Sequence, residues 1–105
     1  MTESEFSERA EAALRAVEAA IDAADADIDC DRSGGVLTLE LGNGTKIVVN
    51  LQLPARQIWV AGRSGGFHFA FDGRSWRDTR DGTELLAALS KMVSAQGGRC
   101  VELRV

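Results

Sequence analysis

Apolar residues recur every three or four positions over the first 24 residues of the chain. They are Phe6, Ala10, Ala13, Leu14, Val17, Ile21 and Ala24. This spacing places side chains on one face of an α-helix. Thr2 and Glu5 form the Thr-x-x-Glu pattern of a capping box. The pattern therefore predicts a first helix of about five turns that begins near Thr2.

The hydrophobic period changes to two after this helix, which indicates strands. In residues 27–31, Ile28 and Cys30 are expected to point inward and the intervening aspartates outward. Further strands are predicted at residues 36–41, 46–50, 57–61 and 67–71, with a short one around 75–77. Asn43-Gly44 predicts a tight hairpin turn between two of these strands, and residues 62–66 a second hairpin loop.

A second amphipathic helix is predicted from Glu84 to about Ala95, capped by residues 81–83 and ended by Gly97-Gly98. Residues 100–105 are expected to pack back on the fold as an extended tail. Two helices can bury most apolar area by covering the same face of one sheet. The predicted fold class is therefore α+β, a two-layer sandwich of two helices on an antiparallel sheet of about six strands. Residues 1–105 form a single domain in this prediction, with the other sheet face in solvent.

Composition narrows the classes of protein to consider. No apolar run approaches the roughly 18 residues of a membrane span, and the acidic start is unlike a signal or transit peptide. Cys30 and Cys100 are far apart without metal-type spacing, so we expect free thiols. These features predict a bacterial cytoplasmic protein that does not bind membranes, and a processed organellar protein is the alternative. The net charge of −4, with dispersed arginines, argues against nucleic-acid binding.

Acidic residues are concentrated at the start of the chain. Residues 1–31 contain 10 acids and 2 bases, whereas residues 32–105 contain 6 acids and 10 bases. A helical wheel places four of these acids on one strip beside the apolar stripe, and the following strand adds three more. We call these seven residues the acidic surface: Glu11, Glu18, Asp22, Asp25, Asp27, Asp29 and Asp31.

Such a strip is often only the solvated side of a helix. Here, however, Glu18 and Asp22 are a repelling i, i+4 pair, and Asp25 lies near a helix C-terminus, which disfavours an anion. We therefore interpret the placement as selection for an anionic surface, to which cations and basic proteins bind. Carboxylates suit hard cations such as Mg²⁺, Ca²⁺, Mn²⁺ and iron. Acids roughly 5 to 7 Å apart offer one or two ligands to each ion, so binding should be weak.

Alternation in residues 57–61 places Ile58 and Val60 in the core and Trp59 on the open sheet face. An exposed tryptophan is typical of binding hot spots. The alternatives are that the strand register is shifted by one residue or that neighbouring side chains cover the indole. His68 is expected on the same face, and without ligand-spaced neighbours we interpret it as a surface residue. No recognisable nucleophile motif is present, so we predict no catalytic residues and no organic cofactor.

Taken in order, these segments resemble the frataxin family, in its bacterial, CyaY-type branch. The matching segments are residues 4–6, the acidic helix with Glu18 and Asp22, and residues 27–30, 34–38, 43–47, 57–61, 65–69 and 76–78. The resemblance implies weak iron binding by the acids of the first helix and strand, and a role in iron–sulfur cluster assembly. It also implies docking on a cysteine desulfurase near the cluster scaffold protein.

The resemblance assigns partner contacts to two groups of residues. They are Glu18, Asp22 and Asp25 on the acidic side, and Asn50, Gln52 and Trp59 on the sheet. We expect a monomer, with iron-induced oligomers as the alternative. The leading hypothesis is a non-enzymatic iron-binding protein that regulates or supplies iron–sulfur cluster assembly. The second is an acidic interaction module without a physiological metal. An iron-oxidising storage enzyme ranks last, because the chain has no Glu-x-x-His motif.

Overall fold

The structure, a computed structural model, describes residues 1–24, 27–98 and 100–104. Its helices are α1 (Glu3–Ala24) and α2 (Leu85–Gly97). Its strands are β1 (Ile28–Ser33), β2 (Val36–Leu41), β3 (Lys46–Gln52), β4 (Gln57–Gly62), β5 (Gly65–Phe71) and β6 (Trp76–Asp78). The six strands form one antiparallel sheet in the order of the sequence. The predicted fold class is confirmed.

Helix α1 begins at the predicted capping box. The Thr2 hydroxyl accepts a hydrogen bond from the Glu5 amide at 3.1 Å, and the Glu5 carboxylate accepts one from the Thr2 amide at 3.3 Å. These bonds pair backbone donors that have no partner within the helix. At 22 residues, α1 is slightly longer than the predicted five turns.

The core lies between the two helices and one face of the sheet. The register pairs Leu39 with Ile47 and Val49 with Val60, and all four side chains are buried on the helix-facing side. Phe6 and Leu14 of α1 and Leu89 of α2 cover this layer. Asn50, Trp59 and His68 lie opposite one another on the other face. The predicted two-layer arrangement therefore holds across the sheet.

Two local details differ from the sequence prediction. The hairpin between β2 and β3 has a four-residue loop at 42–45, because only Gly44 adopts a positive φ (84°), whereas a tight type I′ turn needs two such residues. The Asn43 side chain instead accepts hydrogen bonds from the amide and hydroxyl of Thr45. Helix α2 is capped by Glu84, whose carboxylate accepts from the Leu86 amide at 3.1 Å. Asp81 caps the preceding turn at Thr83.

The end of α2 and the tail follow the prediction. Gly98 closes the helix in a left-handed conformation, with φ 74°. In the tail, Leu103 is buried against the core. The hydroxyls of Ser90 and Ser94 accept hydrogen bonds from the amides of Leu103 and Val101. No helix in the described ranges is long and apolar enough to cross a membrane.

Candidate cation and partner surfaces

Helix α1 carries three residues of the acidic surface on the side that faces strand β1. Glu11 and Glu18 are partly buried there, and Asp22 is exposed. They follow the heptad-like spacing that puts residues 11, 18 and 22 on one strip of the helix. Asp25 lies outside the described residues. The structure thus brings together the helical acids that it describes, as the wheel predicts.

A polar hollow of about 480 Å³ lies between the last turns of α1 and strand β1. Glu18, Asp22 and Asp29 line it together with Cys30. Carboxylates from the helix and from the strand therefore meet at this position. The hollow is open to solvent, which suits exchangeable binding of small cations rather than enclosure of one ion.

The pKa of the Cys30 thiol reflects the negative charge around this hollow. Burial raises the pKa of the thiol above the ordinary value, and the charges of Glu18, Asp29 and Asp22 raise it further. Its pairing with Leu39 places Cys30 on the helix-facing side, as expected from alternation. The expected inward position is nevertheless wrong in one respect, because Cys30 is exposed. Strand β1 is the edge of the sheet, so part of that side chain remains accessible to solvent.

The other two strand acids do not join the hollow. Asp31 pairs with Thr38, whose side chain lies on the open face of the sheet. Asp27 packs against Gly42 in the loop between β2 and β3, where a larger residue would collide with its carboxylate. It borders a separate hollow beside the C-terminal end of α2. Asp29 and Asp31 thus share one face of β1, as the expected row requires, but only Asp29 lines the hollow, and Asp27 lies apart from both.

Arg32 is the residue of this region that the sequence analysis missed. It pairs with Leu37, which puts its side chain on the helix-facing side of β1. Its guanidinium forms an ion pair with Glu11, and Nη1 lies 3.5 Å from Glu18 Oε1. Alternation along the strand could have revealed this position, because Arg32 follows Ile28 and Cys30 on the same face. Counting charges along the chain hid it, since Arg32 follows directly after the acidic segment.

The open face of the sheet centres on Trp59, as alternation predicts, but the side chain is partly buried by its neighbours rather than exposed. Its indole stacks on His68 with ring centroids 4.4 Å apart and planes 13° from parallel. The indole N–H donates to the Gln57 side chain at 2.8 Å. Asn50 pairs directly opposite Trp59, and Gln52 opposite Gln57. These side chains form a flat aromatic and amide surface whose tryptophan is held in one orientation, which favours partner binding at low entropic cost.

Comparison with known proteins assigns the chain to a family. The model of the frataxin-like domain matches residues 1–99. The chain belongs to the frataxin family. It is 57% identical over 103 residues to the iron–sulfur cluster assembly protein CyaY of Paraburkholderia phymatum, and the match covers 98% of each chain. The CyaY of Herminiimonas arsenicoxydans is 55% identical, with 99% of this chain and 97% of the relative covered.

Solved frataxin structures share the fold. The frataxin of Psychromonas ingrahamii superposes with a TM-score of 0.92 at 35% identity, over 100% of both chains. Trimeric frataxin from the yeast Saccharomyces cerevisiae, complexed with ferrous iron, gives a TM-score of 0.67 at 31% identity. That match covers 90% of this chain and 87% of the yeast chain. The architecture of two helices on one sheet is thus a frataxin architecture.

The donor groups of this frataxin-family chain fit weak coordination. Within the described ranges, no three His, Cys, Asp or Glu side chains converge closely enough to hold one ion. The hollow instead offers separate carboxylates of Glu18, Asp22 and Asp29. Carboxylate oxygens bind hard cations, and a site with one or two protein ligands keeps most of the ion's water. The raised pKa of the Cys30 thiol reduces its thiolate fraction, which leaves carboxylates as the principal charged groups of the hollow.

Proposed function

We propose that the chain is a non-enzymatic, weakly iron-binding protein of iron–sulfur cluster assembly. In this proposal, residues 1–105 act as one domain in the bacterial cytoplasm, without an organic cofactor. The domain docks on a cysteine desulfurase and its scaffold protein, and it regulates the assembly or supplies its iron. The observation that carries the proposal is the meeting of helical and strand carboxylates at one hollow in a frataxin-family chain.

The acidic surface supports the iron-binding half. Iron enters here as cargo, and its hard ions favour the carboxylate oxygens of Glu18, Asp22 and Asp29. The yeast relative was solved as a complex with ferrous iron. Because the carboxylates lie apart on an open surface, each ion keeps several waters and exchanges readily. The sequence adds Asp25 and, at the margins of the same surface, Glu11, Asp27 and Asp31 to the proposed cation contacts.

Two surfaces support the docking half. Glu18, Asp22 and Asp25 give one side of the molecule a negative potential that attracts a basic partner and speeds its association. On the open sheet face, Trp59 offers the large, pre-oriented aromatic side chain that dominates many interfaces. Asn50 and Gln52 lie beside it with hydrogen-bonding groups for the rim of the contact. We infer that a monomer presents both surfaces at once.

Iron binding is tested by an anaerobic Fe²⁺ titration of the ¹⁵N-labelled protein, followed by NMR with excess Mg²⁺ present. Broadening of amide signals confined to residues 11–31 would support the proposal. Glu18→Gln combined with Asp22→Asn should raise the Fe²⁺ concentration at the midpoint of the titration by roughly threefold to tenfold. The reason is that two carboxylates are replaced by neutral amides. The matched control is Glu102→Gln, which removes an exposed acid in the tail. A spectrum that Fe²⁺ leaves unchanged would refute iron binding.

Docking is tested by measuring binding to the purified desulfurase from the same organism at several salt concentrations. Glu18→Gln with Asp22→Asn should weaken binding and flatten its salt dependence, since rim charges act mainly through long-range attraction. Trp59→Ala should weaken binding to the desulfurase–scaffold complex without changing the salt dependence. Glu102→Gln, an exposed acid in the tail outside both groups, is the control. Undiminished binding by the double variant would sink the docking half.

The second candidate is an interaction module whose acids act without a physiological metal. Arg32 favours it, because this residue already neutralises part of the acidic surface through Glu11 and Glu18. Salt-sensitive docking that chelator leaves unchanged would select this candidate. Docking that falls on chelation and recovers with Fe²⁺ would select the first.

A further inference from the structure

Arg32 extends to the acidic surface from the helix-facing side of strand β1. Its partner across the ladder, Leu37, is fully buried under the helices, so the Arg32 side chain starts on the core side of β1. Because β1 is the edge strand, the side chain can extend outward along the flank of α1. The guanidinium lies beside the helical acids Glu11 and Glu18, a position that a long basic side chain can reach from the core side of an edge strand.

The Arg32 guanidinium interacts with three groups of the protein. Glu11 contacts one terminal nitrogen, and Glu18 Oε1 lies 3.5 Å from the other. Nε donates to the Gly34 carbonyl at 3.4 Å. The Arg32 side chain is 25% exposed and the two glutamate side chains 36%, so water is partly excluded from the cluster. A planar fork that bridges two carboxylates is a geometry that arginine provides and lysine does not.

Glu18 depends on this arrangement more than Glu11 does. Its Oε1 atom is inaccessible to solvent and has no hydrogen-bond donor among the described residues. The positive charge of Arg32 is the compensation that the structure provides for this oxygen. The other side of Glu18 lines the hollow with Asp22 and Asp29. Glu18 thus stands at the border between a neutralised part of the acidic surface and a part that remains negative.

We propose that Arg32 is an internal counter-ion that restricts cation binding to the part of the acidic surface around Asp22 and Asp29. This inference rests on the proposed iron-binding function and determines where on the surface it occurs. A metal ion that approaches Glu11 must displace a tethered guanidinium whose local concentration is high. At Asp22 and Asp29, which form no ion pair among the described residues, a metal ion meets no such competitor.

The experiment is a Mn²⁺ titration of the full-length ¹⁵N-labelled protein, in which paramagnetic broadening maps the bound ion. In the unmodified protein, the amides near Asp22 and Asp29 should broaden first and those near Glu11 only at higher Mn²⁺. Arg32→Gln should extend the early broadening to Glu11 and lower the apparent Kd by roughly threefold to tenfold, because two carboxylates become available. Arg104→Gln is the matched control, since this arginine pairs with Glu102 in the exposed tail.

The outcomes separate this inference from the proposed function. Identical broadening in the unmodified protein and Arg32→Gln would overturn the role of Arg32 while leaving metal binding intact. Binding only in Arg32→Gln would refute metal binding by the natural surface and, with it, the location around Asp22 and Asp29, because Arg32 would then block the whole surface. No binding in either protein would overturn both. Should Arg32→Gln fail to fold, Arg32→Lys tests the same point, because an ammonium group releases one carboxylate, and an unmodified pattern would contradict the inference.

Discussion

At the scale of single residues, Gln96 joins three parts of the fold. This buried side chain accepts a hydrogen bond from the Arg63 amide at 2.8 Å and donates to the Thr45 hydroxyl and the Lys46 carbonyl at 3.0 Å. Its own carbonyl accepts from the Asn43 side chain at 2.9 Å. The last turn of α2 is thereby fixed to both hairpin loops at that end of the sheet.

We expect Gln96→Leu to lower the free energy of unfolding by about 1 to 3 kcal/mol, because it removes three part-buried hydrogen bonds of the Gln96 side chain. Urea denaturation measures the change. Gln52→Leu on the open face is the control and should change stability by less than about 0.5 kcal/mol. Equal losses in the two variants would show that the hydrogen bonds of Gln96 do not stabilise the fold.

Asp72 gives the fold a defined response to acid. Its carboxylate accepts hydrogen bonds from the amides of Ser75 and Arg74 and from the Arg77 side chain. These bonds lower the pKa of Asp72 from 3.8 to about 2. Because the folded pKa lies below the unfolded one, the stabilisation is present above about pH 4 and is lost as the pH falls towards 2.

Asp72→Asn should therefore reduce stability at pH 6 and flatten the decline of stability between pH 4 and 2. Thermal unfolding across this range measures the effect, with Glu102→Gln as an exposed control. A decline as steep in Asp72→Asn as in the unmodified protein would contradict the assignment.

Alternation of apolar residues was sufficient to predict which face Trp59 occupies, because Ile58 and Val60 are both core residues. The same reasoning places Cys30 on the helix side but does not predict its exposure, which depends on the position of β1 at the sheet edge. Arg32 was missed for a related reason. An arginine on a core-facing position is stable only at such an edge, and strand order is a property of the whole sheet.

At the scale of elements, the described part of the C-terminal tail is held by the apolar side chains of Leu103 and Val101 and by two serine hydroxyls. Leu103 is 3% exposed, whereas the adjacent Glu102 points to solvent. Ser90 and Ser94 pair the backbone of the tail, so the segment needs no strand partner.

Leu103→Ala should destabilise the protein by about 2 to 4 kcal/mol, because it removes buried methyl groups from the core. Glu102→Ala, one residue away, is the control and should have an effect within about 0.5 kcal/mol. Urea denaturation compares the two. A Leu103→Ala variant as stable as the control would mean that the tail contributes little to the core.

Most elements were predictable because periodicity is a local property of the sequence. The bounds of β2 coincide with the predicted residues 36–41. The details that differed involve competition between neighbouring polar groups. The Asn43 side chain accepts a hydrogen bond from the Thr45 amide, and no tight turn forms. Glu84, rather than Thr83, caps α2. Several residues in each place are capable of the bond, and backbone direction selects one of them.

At the scale of the whole molecule, the uneven charge distribution acts on Cys30. The neighbouring carboxylates, together with burial, raise the pKa of this thiol and so reduce its thiolate fraction. Glu18→Gln in a Cys100→Ser background should therefore speed alkylation of Cys30 by iodoacetamide at pH 8, by roughly twofold. Glu40→Gln, on the open face, should leave the rate unchanged. A rate that does not respond to Glu18→Gln would show that the charge of Glu18 does not raise the pKa of Cys30.

Helix α1 is synthesised well before the residues against which it packs. Phe6 packs edge to face on Trp76, with ring centroids 5.8 Å apart, and the Arg9 guanidinium lies 4.8 Å from the centre of the Phe71 ring. The helix is made first, yet these partners leave the ribosome roughly 4 to 14 seconds later at ordinary rates of synthesis. The hairpins can close in sequence during that interval. During that interval the apolar face of α1 is exposed to solvent. The negative charges on its other side repel other incomplete chains and so oppose their association.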